Sequence, residues 1–282
     1  MGNLTTPSRD DVLENLMKTE IVLFMHGMYI ILVGLALWSL LRRKPMGYRV
    51  LSGLIIAMCI FGTVEMVLQA VDARVLVRAL YSTSNAEGQA IQHSDDLLTF
   101  AENLLVVTNN AIADSLLIYR CYVIWQSSSS NKKVVVLPIL LSLATLAAGY
   151  MAAYQDYITT GPPDPRIFFG LVVATNLILT ALTAGRIFYD RRKLQRVGQA
   201  RIVHRYNVAI KMLLESAVIY LIVSLTIIVE RALAGFAAIS AFYAISGELM
   251  NIIPVVLVVR ISFGRTLEMA PDPKPEVSLE SV

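Results

Sequence analysis

Apolar positions along the chain gather into seven runs, at roughly 20–41, 47–71, 97–125, 134–154, 167–189, 208–230 and 236–259. A helix that crosses a bilayer needs about 20 mostly apolar residues, and each run meets that length. None shows the strict alternation of a barrel strand. The pattern predicts an all-α polytopic membrane protein, a seven-transmembrane helix bundle over residues 20–265. A polar extracellular segment, 1–19, precedes it, and a Pro-rich disordered cytosolic tail, 266–282, follows. Ser94 is the expected N-cap of the third helix, with Asp95 and Asp96 in its first turn.

Composition agrees with this pattern. Of 282 residues 56% are hydrophobic and 16% charged, with a mean hydropathy of +0.63, too apolar for an ordinary water-solvated surface. Cys59 and Cys121 both lie inside apolar runs, which leaves no framework of external disulfides. Lys and Arg fall mostly on one side of the seven runs: eighteen, from Arg42 to Lys274, against six on the other, Arg9, Lys18, Arg74, Arg78, Arg166 and Arg231. Cytosolic loops carry such an excess, so the N-terminus is expected outside or in a lumen, in the plasma membrane or an endomembrane. Asn3, in the tripeptide Asn3-Leu4-Thr5, is then a glycosylation candidate on the outer side. The bilayer is the first expected partner, and nothing points to nucleic acid.

Polar residues inside the runs carry the functional signal. A charge at the bilayer centre costs about 2.5–3.5 kcal/mol on insertion scales, so such residues turn inward and mark sites. In the third run Asn103, Val107, Asn110, Asp114, Leu117 and Cys121 follow offsets of four and three, one face of a helix. Glu102 and Asn109 lie on its edge. Glu65, Asn176, Glu248 and Asn251 offer partners at similar depth, which makes Asn110, Asp114, Asn176, Glu248 and Asn251 candidate ligand- or ion-binding residues. The competing reading is interhelical glue, worth on average about 0.6 kcal/mol per hydrogen bond. It accounts for the amides better than for the carboxylates. His26, alone on an apolar helix, reads first as a packing residue.

Three residues are candidate switches. Arg120 and Glu215 lie at matching depths near the cytosolic side, so a pair across the bundle is geometrically open. Snorkelling of Arg120 and a Lys211–Glu215 pair along one helix compete with it. Pro254 frees a backbone carbonyl in the seventh run and is a candidate hinge. The basic loop 190–207 reads either as a topology determinant drawn to anionic lipid or as a docking surface for a cytosolic signalling protein.

Catalytic chemistry is not legible. A retinal Schiff base needs a lysine in the last run, which has none. The histidines, His26, His93 and His204, fall at different depths, and no GxSxG, P-loop or HExxH pattern occurs. No cofactor, no metal and no enzymatic activity are expected.

The stretch SDDLLTFAENLLVVTNNAIADSLLIYRCYVIW, residues 94–125, resembles a large family of seven-span integral membrane proteins from mushroom-forming fungi (Basidiomycota) that carry an ADxLLIYRCYVIW-like segment at the end of the third span. The resemblance implies a fold and a source and brings no activity with it. The layout is also similar to that of G-protein-coupled receptors, with Tyr119-Arg120-Cys121 and Asn251-Ile252-Ile253-Pro254 where those receptors often carry acid-Arg-aromatic and Asn-Pro motifs. Both motifs depart from the receptor pattern. A receptor-like protein sensing an extracellular or lipidic ligand is the leading expectation, with a small-solute or proton-coupled transporter, titrating at Asp114 and Glu248, as the alternative.

Overall fold

In a computed structural model, the structure describes residues 9–44, 47–81, 85–126, 132–158, 166–196 and 239–264, together with nine helical positions between 214 and 229. Among the described residues every regular element is a helix: α1 (Arg9–Arg43), α2 (Tyr48–Tyr81), α3 (Asn85–Gln126), a 3-10 turn (Lys132–Val135), α4 (Val136–Ile158), α5 (Arg166–Arg196) and α6 (Ile239–Gly264). Asn3, the tail 266–282 and most of the basic loop lie outside the described residues.

Helix ends follow local chemistry. At the end of α1 the Lys44 amide bonds the Leu40 carbonyl at 2.9 Å with Lys44 at φ 43°, and Gly47 takes φ 78° before α2 begins. The Tyr119 hydroxyl of α3 packs against Gly47, where a Cβ has no room. Glycine at this position therefore serves both the turn and the close approach of α3. Pro138 falls in the first turn of α4, where its missing N–H breaks no helical bond.

Several helices run past the apolar runs that seeded them. The first begins at Arg9 rather than near residue 20, and α2 continues to Tyr81, ten residues beyond the expected end. The third starts at Asn85, so Ser94 lies within it and does not cap it. Good helix formers extend a helix past the hydrocarbon because backbone bonding does not stop where hydropathy falls. For the same reason the first seven residues assigned to the loop 190–207 are the last turns of α5.

Four helices are long and apolar enough to cross a membrane, over Leu16–Arg42, Tyr48–Val75, Val136–Gln155 and Ile167–Tyr189. Seven runs therefore reduce to four by this measure among the described residues. The third has the length but is diluted by Glu102, Asn103, Asn109, Asn110 and Asp114. Of the sixth and seventh runs only part of the side chains is described. The outer surface agrees with a lipid environment: Phe24, Met28, Ile31, Leu35 and Trp38 form an exposed stripe on α1, and Phe24 and Ile31 are 69% and 65% exposed. Ile56, Ile60, Val64, Val67 and Val71 do the same on α2, and Val136, Leu140, Leu143, Met151 and Tyr154 on α4. Water-solvated proteins rarely expose apolar stripes of this extent. This is a membrane protein.

Inside, α1 packs between α2 and α6, while α3 packs against α2, α4, α5 and α6. The buried face of α1 is Val22, His26, Tyr29, Val33, Ala36 and Leu40, offsets of four and three throughout. That of α2 is Leu51, Ile55, Met58, Gly62 and Glu65. Tyr29, Val33, Ala36 and Leu40 join Leu51, Ile55, Met58, Leu116, Ile252, Val255 and Val258 in one apolar core.

Candidate functional site

Each stripe that builds this core ends in polar residues at the same end of the bundle. On α1 it is His26, on α2 Glu65 and Thr63, on α3 Asn109, and on α6 Glu248 and Asn251. The polar positions precede the core positions in α1, α3 and α6 and follow them in α2, which runs the opposite way, so all four reach one level. The result is a polar layer capped on one side by the apolar core.

Two sets of hydrogen bonds join four helices within the layer. His26 Nδ1 lies 3.3 Å from Glu248 Oε1, and its Nε2 lies 3.3 Å from Thr63 Oγ1. The Thr63 hydroxyl donates its single proton to the Cys59 carbonyl at 2.7 Å, so towards His26 it accepts. Nε2 of His26 is thus the donor in that contact. Asn109 Nδ2 donates to Asn251 Oδ1 at 3.0 Å, and Asn109 also hydrogen-bonds Glu65. Glu65 in turn lies within electrostatic reach of Glu248 and Glu102. The Tyr29 ring is tilted against the His26 ring with centroids 5.6 Å apart.

The residues singled out from sequence divide between this layer and other places. Glu248 and Asn251 belong to it. Asp114 does not: it is buried on the other side of α3 and hydrogen-bonds Ser142 of α4. Asn110 is buried on α3, and Asn176 donates to the Val172 carbonyl of its own helix at 3.0 Å. The expected face of α3 is inward and meets α4, α5 and α6, with Asp114 bonded to Ser142 and with Val107 and Leu117 in clusters that hold α5 and α6 side chains, while the adjacent face with Asn109, Ala113 and Leu116 meets the polar layer and the core. His26, read as packing, is the hub of the layer, and Asn109 rather than Asn110 reaches α6. The heptad spacing of Val22, His26, Tyr29 and Val33 was a usable signal for His26. Nothing in sequence distinguished the two adjacent asparagines, because that depends on the rotation of α3.

The switch candidates Glu215 and Arg120 lie towards the opposite end of the bundle. Glu215 Oε2 receives Arg260 Nη1 at 3.4 Å, joining the partly described sixth segment to α6. Arg120 is half-buried near the end of α3, and Pro254 is buried within an α6 that stays helical through it. Arginines here lie over aromatic rings: Arg186 at 5.4 Å from both Trp125 and Tyr189, Arg192 at 4.5 Å from Phe188, and Arg42 at 5.3 Å from Trp38. Among the described residues no group of three or more His, Cys, Asp and Glu side chains is placed to hold a metal ion.

The chain matches no protein-family model, no curated protein and no solved structure. Its functional reading therefore rests on its own residues.

Proposed function

We propose that the chain is a receptor-like, seven-helix integral membrane protein. The His26–Glu248–Glu65 layer responds to an extracellular or lipid-dissolved ligand, and the arginine-rich end engages a cytosolic partner. The observation that carries this reading is the apolar core below the layer. On α1 it extends from Tyr29 to Leu40, eleven steps or about 16 Å of helix, with no polar buried residue except Ser39. A transporter needs a polar route on both sides of its site, whereas a sensor needs a site closed towards the cytosol and a packed core that relays its state.

Seven helices and an outward N-terminus are part of the proposal. The sixth segment supports the count: Leu214, Val218, Ile222, Leu225 and Val229 are helical and form an exposed apolar stripe like those of α1 and α2. The arginine–aromatic pairs at the ends of α1, α3 and α5 support the orientation, since such residues anchor helices at the cytosolic interface. The resemblance of residues 94–125 to a fungal seven-span family points the same way.

A second reading, a proton-coupled transporter, is favoured by the buried contact between the two ionisable side chains His26 and Glu248. One experiment separates the two. Glu248→Gln in lipid nanodiscs, followed by amide hydrogen exchange, is expected to alter exchange in the last turns of α3, α5 and α6. Changes confined to residues around the polar layer, together with pH-gradient-driven solute uptake into vesicles, would sink the receptor reading.

A further inference from the structure

We propose that Arg42 of α1 and Arg192 of α5 hold the headgroup phosphates of anionic phospholipids in the first lipid shell around the bundle. The proposal goes beyond the receptor reading and does not rest on it, since it requires only that α1 and α5 cross the bilayer.

The two helices repeat one arrangement. On α1 the exposed stripe Phe24, Met28, Ile31, Leu35 and Trp38 continues to the exposed Arg42, four residues on, whose guanidinium carbon lies 5.3 Å from the Trp38 ring centroid. On α5 the exposed positions Leu177, Ala181, Gly185 and Phe188 continue to the exposed Arg192, again four residues on, at 4.5 Å from the Phe188 ring centroid. Offsets of three and four keep each series on one helix face. The apolar spans end at Arg42 on α1 and at Tyr189 on α5. Each arginine is therefore at the level where hydrocarbon gives way to headgroups, with its stem along the lipid-facing side chains.

Both arginines lie at the same end of the bundle. Tyr119, near the end of α3, packs against Gly47 in the turn after α1, and Ile124 of the same helix joins Ile187 of α5 and Leu257 of α6 in one cluster. One leaflet thus meets both.

Charge and direction select the occupant. The chain has no acidic residue between Glu20 and Glu65, a stretch that holds Arg42, Arg43, Lys44 and Arg49. Residues 186–196 hold Arg186, Arg191, Arg192, Lys193 and Arg196 against Asp190 alone. Among the described residues neither Arg42 nor Arg192 pairs with a carboxylate. An aromatic ring meets the charge of a guanidinium and leaves its N–H donors, which match phosphate oxygens. Because the two arginines continue lipid-facing stripes, they lie over the acyl chains rather than across the end of the bundle, where a soluble protein docks. An anionic phospholipid brings acyl chains for the stripe and a phosphate for the arginine in one molecule, with no headgroup cation to face the basic turn.

The test is tryptophan quenching by brominated lipids, with the full chain in phosphatidylcholine vesicles. The chain has two tryptophans, so Trp125→Phe leaves Trp38 as a reporter beside Arg42. Dibrominated phosphatidylglycerol and dibrominated phosphatidylcholine are compared at equal mole fraction. At low salt the anionic lipid is expected to be preferred about fivefold at Trp38, the effect of one arginine near a membrane surface. The preference shrinks in about 1 M salt, where screening is short-ranged. It is lost in Arg42→Gln and kept in Arg42→Lys, which preserves the charge. A chain carrying Trp38→Phe, Trp125→Phe and Phe188→Trp reports on Arg192 in the same way, and Arg192→Gln removes the preference there. Equal quenching by the two lipids at either reporter, or a preference that survives the matching glutamine variant, overturns the proposal. Neither result bears on the exchange response of Glu248→Gln, which tests the receptor reading separately.

Discussion

Two residues, His26 and Glu248, show how much one contact can determine. They are 222 positions apart in sequence and 3.3 Å apart in space, and both are buried. Because the pair is buried, removing either partner leaves the other unsatisfied, which costs more than the pair itself contributes. A double-mutant cycle of His26→Gln and Glu248→Gln, read by unfolding in detergent, is expected to give a coupling of roughly 1–3 kcal/mol. Additivity of the two single variants would show that the contact is incidental. Gly149 makes a similar case by shape alone. A Cβ there would lie 2.7 Å from both Val107 methyls and 2.8 Å from Phe168 Cε2, so Gly149→Ala is expected to destabilise by about 1–3 kcal/mol. A Tm equal to that of the parent chain would contradict this account of how α3, α4 and α5 meet.

At the scale of elements, each helix divides its surface between lipid and interior. On α1 the exposed positions Phe24, Ile31 and Trp38 and the buried positions Val22, Tyr29, Val33 and Ala36 are separate faces of one helix. Ile31→Arg puts a cation on the lipid face near mid-helix and is expected to raise the apparent insertion free energy of this segment by about 2.5–3.5 kcal/mol. Translocon insertion of the isolated segment, scored by glycosylation, measures it, and an unchanged inserted fraction would argue against a lipid-facing stripe. The existence of these helices was legible in sequence because hydropathy and the 3.6-residue period record burial and length. Their ends were less legible. Asn85 replaces Ser94 at the start of α3 because a favourable capping residue competes with continued helical bonding and here loses.

At the scale of the molecule, the seven-span proposal makes the two termini fall on opposite sides of the membrane. Protease-protection of tags fused before Met1 and after Val282 tests it: opposite protection is expected, and the same side for both tags would reject an odd number of spans. The arrangement of helices also explains which part of the candidate site was readable. Glu65, Glu248 and Asn251 could be picked out, since an intramembrane carboxylate or amide is costly wherever it points. Their division into separate sites could not. Asp114 and Asn109 are five residues apart on one helix, yet one meets Ser142 of α4 and the other Asn251 of α6.

Sequence alone therefore determined that the chain is helical and apolar, which helices exist, and which polar residues carry a cost inside them, because composition and periodicity act along a single helix. Tertiary structure decided which of those residues share a site. That outcome depends on the rotation and depth of each helix against its neighbours, and on antiparallel stripes such as Val22–Leu40 and Leu51–Glu65 bringing their polar ends to one level above a common apolar core. The NLLVVTNNAIADSLLIYRCYVIW stretch carries polar residues for two different neighbours, since α3 stands between the α1–α2–α6 group and the α4–α5 pair.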